Sequence, residues 1–262
     1  MDFGLSNKKA LVLASSRGLG LGIAEALAAE GVTVMLVGRT AERIKANAEQ
    51  ITARGKGKAY GIAADLGAPG AVDEIVAIAE QTLGQIDILV NNTGGPPAKP
   101  ATEVTEDEWA KYFKAMVEPV FAMTAKLLPG MRQRKWGRVL TVASSGVEQP
   151  IPNLALSNAL RSSIVGWSKT LSSEVAKDGV TVNMILPGRI ATDRIKELDS
   201  ANAQRSGKSL ADVEAASVAS IPAARLGTAQ EFGATAAFLC SEQAGYITGS
   251  KIRVDGGATR NV

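Results

Sequence analysis

The 262-residue sequence contains no histidine. That absence excludes Ser-His-Asp and Cys-His nucleophilic pairs, histidine metal ligands and histidine proton shuttles. Cysteine occurs once, at Cys240, so no intrachain disulfide, thiolate metal cluster or C-x-x-C couple can form, and no metal site is expected. Aromatic residues make up only 4% of the chain, which leaves the core to aliphatic side chains. No apolar run approaches the ~18 residues needed to span a bilayer. The opening MDFGLSNKKALVLA lacks the basic, apolar and small-residue order of a secretory leader. With a lone cysteine suited to a reducing compartment, a cytoplasmic location and no membrane partner are the expectation. Excess charge is also scarce. Lys and Arg number 29 against 26 Asp and Glu, a net of +3, and the surplus is scattered, so nucleic acid is not an expected partner.

Hydrophobic residues are 45% of the chain, enough for a large core. Short aliphatic runs alternate with longer helical patterns. The runs are Ala10–Ala14, Val32–Val37, Lys58–Ala63, Ile86–Val90, Arg138–Ala143, Val180–Leu186 and Lys251–Val254. Most are nearly continuous in Val, Ile and Leu, as strands covered on both faces should be. Helical patterns lie at roughly 18–30, 40–54, 69–83, 105–133, 155–178, 192–218 and 228–241. This alternation predicts an α/β fold: one Rossmann-type, doubly wound, parallel seven-stranded sheet with helices on both faces, in a single domain over 1–262. Gly94–Ala101 (GGPPAKPA) reads as an irregular loop after a strand rather than as a linker.

After the first run comes Ala14-Ser15-Ser16-Arg17-Gly18-Leu19-Gly20-Leu21-Gly22, leading into an Ala/Leu-rich helix. A glycine-rich turn from a first strand into a helix N-terminus offers free amides, a favourable helix dipole and close backbone approach, and so suits a dinucleotide's phosphates. The tip of the second strand distinguishes cofactors: an acid there bonds the ribose hydroxyl of NAD, whereas Arg accommodates a 2′-phosphate. The chain reads Val37-Gly38-Arg39-Thr40 with no acid, and Arg17 lies in the glycine loop. Two arginines near one phosphate point to NADP(H).

With these residues in view, the sequence resembles the short-chain dehydrogenase/reductase family over essentially its whole length, in a branch with the 3-oxoacyl-acyl-carrier-protein reductases. Ser15, Ser16, Arg17, Gly18, Leu19 and Gly20 resemble its glycine loop. Asp65-Leu66 resembles the segment whose Asp contacts adenine. Asn91-Asn92-Thr93-Gly94 is similar to its N-N-A-G. Asn183 to Asp193, with Pro187, Gly188 and Ile190, resembles the segment lining the nicotinamide. Tyr246-Ile247-Thr248-Gly249 and Val254-Asp255-Gly256-Gly257 are similar to the C-terminal signature. The resemblance implies strand order 3-2-1-4-5-6-7, nicotinamide nucleotide binding, a small-molecule carbonyl or alcohol substrate, and a homodimer or homotetramer.

The sequence departs from that pattern where the chemistry lies. Ala14 stands at the first loop glycine. Ser144, with Ser145 as a near alternative, matches the family's catalytic Ser. Alignment through Gly166–Leu171 puts Ser157 at the Tyr position of its Tyr-x-x-x-Lys and Arg161 at the Lys position, with Met116 in place of its Asn. Tyr60, Tyr112 and Tyr246 are the only tyrosines, and none has Lys four residues later. Ser157 and Arg161, four apart, share one helix face. A Ser hydroxyl is a far weaker acid than a phenol, and Arg, ordinarily above pKa ~12, stabilises an oxyanion rather than shuttling a proton. The expectation is therefore an NADP(H)-dependent oxidoreductase with a remodelled site. Ser144, Ser157 and Arg161 would carry it, and the proton would come from water, the substrate or a carboxylate such as Glu148. The alternatives are a catalytically silent NADP(H)-binding sensor or partner subunit, and a non-redox enzyme on the same fold. Residues 188–227 have the length and position of a substrate lid. Their charges mix, with Arg189, Arg194, Lys196, Arg205, Lys208 and Arg225 beside Asp193, Glu197, Asp199, Asp212 and Glu214. That mixture fits a solvated helical flap better than an anion-binding lid, although the basic members together with Arg161 would suit an acidic or acyl substrate.

Overall fold

The computed structural model describes residues 2–261. Seven parallel strands among them form one sheet: β1 (Lys9–Val12), β2 (Thr33–Gly38), β3 (Ala59–Ala63), β4 (Ile88–Asn91), β5 (Gly137–Val142), β6 (Val180–Pro187) and β7 (Lys251–Val254). Their order is β3-β2-β1-β4-β5-β6-β7. The aliphatic runs explain the arrangement. β5 is buried along its whole length and β2 beyond its first residue, as in a sheet sandwiched between helices. The edge strands β3 and β7 carry exposed positions instead.

Helices α1 (Gly18–Ala29), α2 (Ala41–Ala53) and α3 (Ala71–Leu83) follow the first three strands. Then come α4 (Glu106–Met116), α5 (Glu118–Gln133), α6 (Ala155–Val175), α7 (Asp193–Ser206), α8 (Leu210–Ala219) and α9 (Ala229–Leu239). Ile23, Leu27, Leu36 and the fully buried Phe232 pack one face of the sheet, and Leu11, Met35, Ile75, Leu89 and Met123 pack the other. Two of the long helical patterns divide. The pattern at 105–133 breaks at Val117 because Pro119, at the start of α5, has no N–H for a continuing helix. The pattern at 192–218 breaks at Gly207, which adopts φ +67 and caps α7 before Ser209 caps α8. The pattern at 155–178 ends at Val175, followed by a 3₁₀ turn and the left-handed Gly179. The remaining elements match to within a few residues, with β1 starting at Lys9 and ending at Val12.

The chain reverses its winding direction at β1, whose neighbours are β2 and β4. Register aligns Val12 with Val90, and Val90 with Leu140. The segments leaving β1, β4 and β5 therefore emerge side by side at the carboxyl edge, the crevice where such sheets bind ligands. The α1 helix that lines this crevice is held by backbone contact with α9. A Cβ on Gly233 would stand 2.3 Å from the Gly22 carbonyl oxygen, and one on Gly22 would stand 2.6 Å from that of Ala229.

Gly233→Ala should accordingly destabilise the protein by about 1–3 kcal/mol through overpacking. Gly166→Ala, on an exposed stretch of α6 with nothing within 4 Å of the added carbon, should be neutral or stabilising by up to about 1 kcal/mol. Thermal melts of the two variants check this, and equal effects contradict it.

Candidate active site

The glycine loop is built by crowding. Ala14 adopts φ +46, a left-handed conformation that costs an alanine about 1–2 kcal/mol, and the Asn92 amide donates to its carbonyl at 3.2 Å. Gly20 packs beneath it, where a Cβ would meet that carbonyl oxygen at 2.4 Å. Gly18 is left-handed at φ +60. Arg17 caps α1 with no side-chain bond, so the amides of the first turn face outward unclaimed by a cap. Ser15 behaves differently. Its hydroxyl donates to Val12 O at 2.8 Å and accepts from Val37 N at 3.0 Å, and its amide donates to Val37 O. Its polar groups pin β1 to β2 rather than facing the crevice. Ser16 supplies a carbonyl to the Asn47 amide at 3.0 Å, and Leu19 packs against the core.

The two arginines differ in their surroundings. Arg39 is exposed and forms no ion pair among the described residues. Arg17 pairs with Asp193 at 3.1 Å and Glu197 at 3.5 Å, both on α7. Asp65 accepts from Gly67 N at 3.0 Å and closes a turn after β3, with Leu66 packed on the core behind it. On the opposite wall, Gly188 is forced by closeness to β7, because a Cβ there would lie 2.6 Å from Asp255 Cα. Gly188 N donates to Val254 O at 2.9 Å, next to Pro187. Buried Ile190 bridges to Gly227, joining the two ends of segment 188–227. The Thr192 methyl, at the head of α7, stands over Gly18.

Between these walls the ends of β4 and β5 meet α6. Ser144 follows β5 and its Oγ accepts from Gly146 N at 3.0 Å, which leaves the hydroxyl proton available to donate. Ser157 and Arg161 lie on one face of α6 and are both buried. Arg161 Nη1 donates to Val142 O at 3.1 Å, and Nη2 to Thr93 O at 3.4 Å and Gly94 O at 3.2 Å. No carboxylate pairs with it among the described residues. Burial pushes the guanidinium down to about 10, with repulsion from Arg194 adding to the effect, so it remains charged at neutral pH, though below the ordinary Arg range. Met116 is core filler among Val117, Leu156 and Leu160.

Comparisons with known proteins agree with this fold. The family model described as enoyl-(acyl carrier protein) reductase matches residues 13–259. The 3-oxoacyl-[acyl-carrier-protein] reductase FabG of Salmonella typhimurium is 33% identical over 252 residues, covering 95% of this chain and 96% of that protein. The structure of L-sorbose reductase from Gluconobacter frateurii, in complex with NADPH and L-sorbose, matches with TM-score 0.94 and 32% identity over the whole of both chains. That of YwfH, an NADPH-dependent reductase involved in bacilysin biosynthesis, matches with TM-score 0.93 and 27% identity, covering 98% of this chain and 100% of that one. This chain is a short-chain dehydrogenase/reductase.

Within this short-chain dehydrogenase/reductase, no tyrosine hydroxyl bonds Arg161 among the described residues. Tyr60 sits on edge strand β3, Tyr112 packs with the cluster around Met116, and Tyr246 is fully exposed. A groove of about 700 Å³ between α2 and β3 contains Tyr60 but none of the residues expected at the site. Glu148, expected as a possible proton source, is buried and held by Lys251 at 2.9 Å and by Arg253. Burial alone would raise its pKa, but the bonds from Lys251 and Arg253 outweigh that and hold it below the usual carboxylate value. It is a fixed anion tying the loop after β5 to β7, not a reservoir of protons. In the sequence Arg194 is only one charge among those of segment 188–227. In the structure its Nη2 donates to Pro96 O at 2.6 Å, over Gly95, where a Cβ would lie 3.3 Å from the guanidinium. The signal was the paired Gly94-Gly95 before Pro96-Pro97.

Because the folded-state pKa of Glu148 is depressed, its ion pairs stabilise the protein above the usual carboxylate pKa of about 4.5 and are lost as pH falls below it. Glu148→Gln should lower the melting temperature by roughly 3–6 °C at pH 7, with the gap closing as pH falls below about 4. Calorimetric melts across that range check this, and a gap independent of pH contradicts it.

Proposed function

We propose that the protein is an NADP(H)-dependent oxidoreductase that interconverts a carbonyl and an alcohol at a remodelled site. The observation that carries this reading is the buried guanidinium of Arg161, without a carboxylate partner among the described residues and held where the ends of β4 and β5 meet α6. The residues present fit the cofactor. Uncapped amides at the start of α1, a turn in which a Cβ on Gly20 would collide, and the free Arg39 suit a dinucleotide with a 2′-phosphate. Gly18, Gly20, Arg39, Asp65, Asn92, Thr93, Gly94, Pro187, Gly188 and Ile190 would hold it. Arg17 would join them on leaving Asp193 and Glu197. NADPH bound in that crevice supplies the hydride for the carbonyl carbon.

The chain's own residues do the rest. Ser144 and Ser157 donate hydrogen bonds to the substrate oxygen and fix its position. Arg161, itself buried, supplies preorganised positive charge as that oxygen becomes anionic. The proton enters from solvent water, since Glu148 is committed to its two cations. Segment 188–227, clamped at its base by the Ile190–Gly227 bridge, acts as the lid, and the functional unit is a homodimer or homotetramer.

A second reading has an observation in its favour. Three backbone carbonyls already occupy Arg161, as a structural staple in a silent binder of NADP(H) would require. Kinetics separate the two. Arg161→Met should reduce kcat by roughly 10²–10³-fold while NADPH affinity stays within about threefold, and in the unaltered enzyme turnover should fall as pH rises through about 10, where the guanidinium loses its charge. Full activity in the folded variant removes Arg161 from the chemistry. Tight NADPH binding with no turnover over a broad carbonyl and alcohol panel supports the silent reading.

Cofactor choice gives a separate test. Arg39→Ala should weaken NADPH binding roughly tenfold or more and leave NADH within about twofold, measured by nucleotide fluorescence. Equal loss for both nucleotides assigns Arg39 no part in reading the 2′-phosphate.

A further inference from the structure

We infer that the substrate is an oxo acid, whose carboxylate is held between the guanidinium groups of Arg161 and Arg194. The inference rests on the carbonyl-reducing reading above and extends it to a substrate class. Both arginines grip one short segment from different walls. From α6, Arg161 takes the carbonyls of Thr93 and Gly94. From α7, Arg194 takes that of Pro96. Gly95 lies between, and its missing side chain makes room for the Arg194 guanidinium. Two cations from separate elements are thus brought to a stretch of four residues at the mouth of the cleft.

The fold provides no matching anion. Arg161 has no carboxylate partner among the described residues. Among the described residues the one carboxylate paired with Arg194, that of Glu197, is 3.6 Å away, half exposed, and also paired with Arg17 at 3.5 Å. Glu148 is neutralised by Lys251 and Arg253. A buried cation without counter-charge is costly, and a second cation beside it raises the cost; the depressed pKa of Arg161 reflects both effects. A carboxylate arriving with the ligand removes the penalty and matches the planar forks of guanidinium groups. A neutral ketone meets the Arg161 charge only as its oxygen becomes anionic, and leaves Arg194 with no counter-charge but the shared, half-exposed Glu197. The start of α1 and Arg39 would hold the phosphates of the cofactor, with Glu197 standing between Arg17 there and Arg194. The reaction balances as oxo acid plus NADPH plus a proton giving hydroxy acid plus NADP⁺. A C–H bond forms at the carbonyl carbon as the C=O π bond breaks, the cofactor is oxidised, and the oxygen takes its proton from water.

Matched pairs test the inference: 2-oxobutanoate against 2-oxobutanamide, and 4-oxopentanoate against 4-oxopentanamide, with NADPH consumption measured for the unaltered enzyme and for Arg194→Met. In at least one pair the acid should exceed its amide by about tenfold or more in kcat/KM. Arg194→Met should erase that advantage while leaving the amide rate and NADPH affinity within about twofold. Amides equal to acids in both pairs overturn the inference. So does an Arg194→Met variant that loses NADPH affinity as steeply as acid turnover, because Arg194 then belongs to the cofactor's diphosphate. If nothing turns over, the redox reading fails, and calorimetric titration of the same acids and amides into the enzyme with NADP⁺ decides the carboxylate site by itself. Tighter acid binding that is lost in Arg194→Met upholds it, and no acid preference overturns it.

Discussion

Arg161 reaches from α6 into the gap between the ends of β4 and β5, where its guanidinium bonds the carbonyls of Val142, Thr93 and Gly94. The geometry of the cleft depends on that contact. Val142 ends β5, and Thr93 and Gly94 lie just past the end of β4 at Asn91. A planar donor with several N–H groups can satisfy carbonyls of both strands at once, whereas an ammonium, as a compact point charge, is less suited to bridging them. The same contact carries an electrostatic penalty, since the cation is buried without a carboxylate. An arrangement that satisfies the backbone and leaves charge unbalanced is one that a bound anion can complete.

The opposite side of the crevice shows a similar exchange of local cost for position. Ala14 is held in a left-handed conformation that glycine would adopt freely. Asn92 holds its carbonyl and Ser15 bolts the strand ends together below it. Contact between the α1 and α9 backbones then fixes the helix whose amides face the phosphate position. Arg17 is committed for the moment to Asp193 and Glu197 on α7. A dinucleotide that recruits Arg17 must release α7 from that pairing, so cofactor binding and the position of segment 188–227 are physically linked.

Much of this architecture was legible in the sequence. Nearly unbroken Val and Ile runs marked the buried strands, and their alternation with helical patterns gave the parallel sheet, whereas its strand order followed only from the family resemblance. The glycine loop announced itself because phosphate approach demands residues without a Cβ. Helix breaks were harder to see. Pro119 and Gly207 each sit inside an otherwise continuous pattern, and either is tolerated in some helices. Around the site, residue types were readable but pairings were not. Nothing local to Glu148 indicates that Lys251 and Arg253, over a hundred positions away, fix its charge. Nothing near Arg194 indicates that it shares the Thr93–Pro96 segment with Arg161. Those facts arise from strand order and loop packing, which bring distant charges into one field.

The most direct measurement of the central claim, that Arg161 places its charge beside the reacting carbonyl, is a crystal structure of the complex with NADP⁺ and an oxo acid. The Arg161 guanidinium should lie there within about 3–4 Å of the substrate, on the same side as the Ser144 and Ser157 hydroxyls. A guanidinium still bonded only to Val142, Thr93 and Gly94, and screened from the substrate by the cofactor or by the Gly95–Pro97 loop, would contradict it.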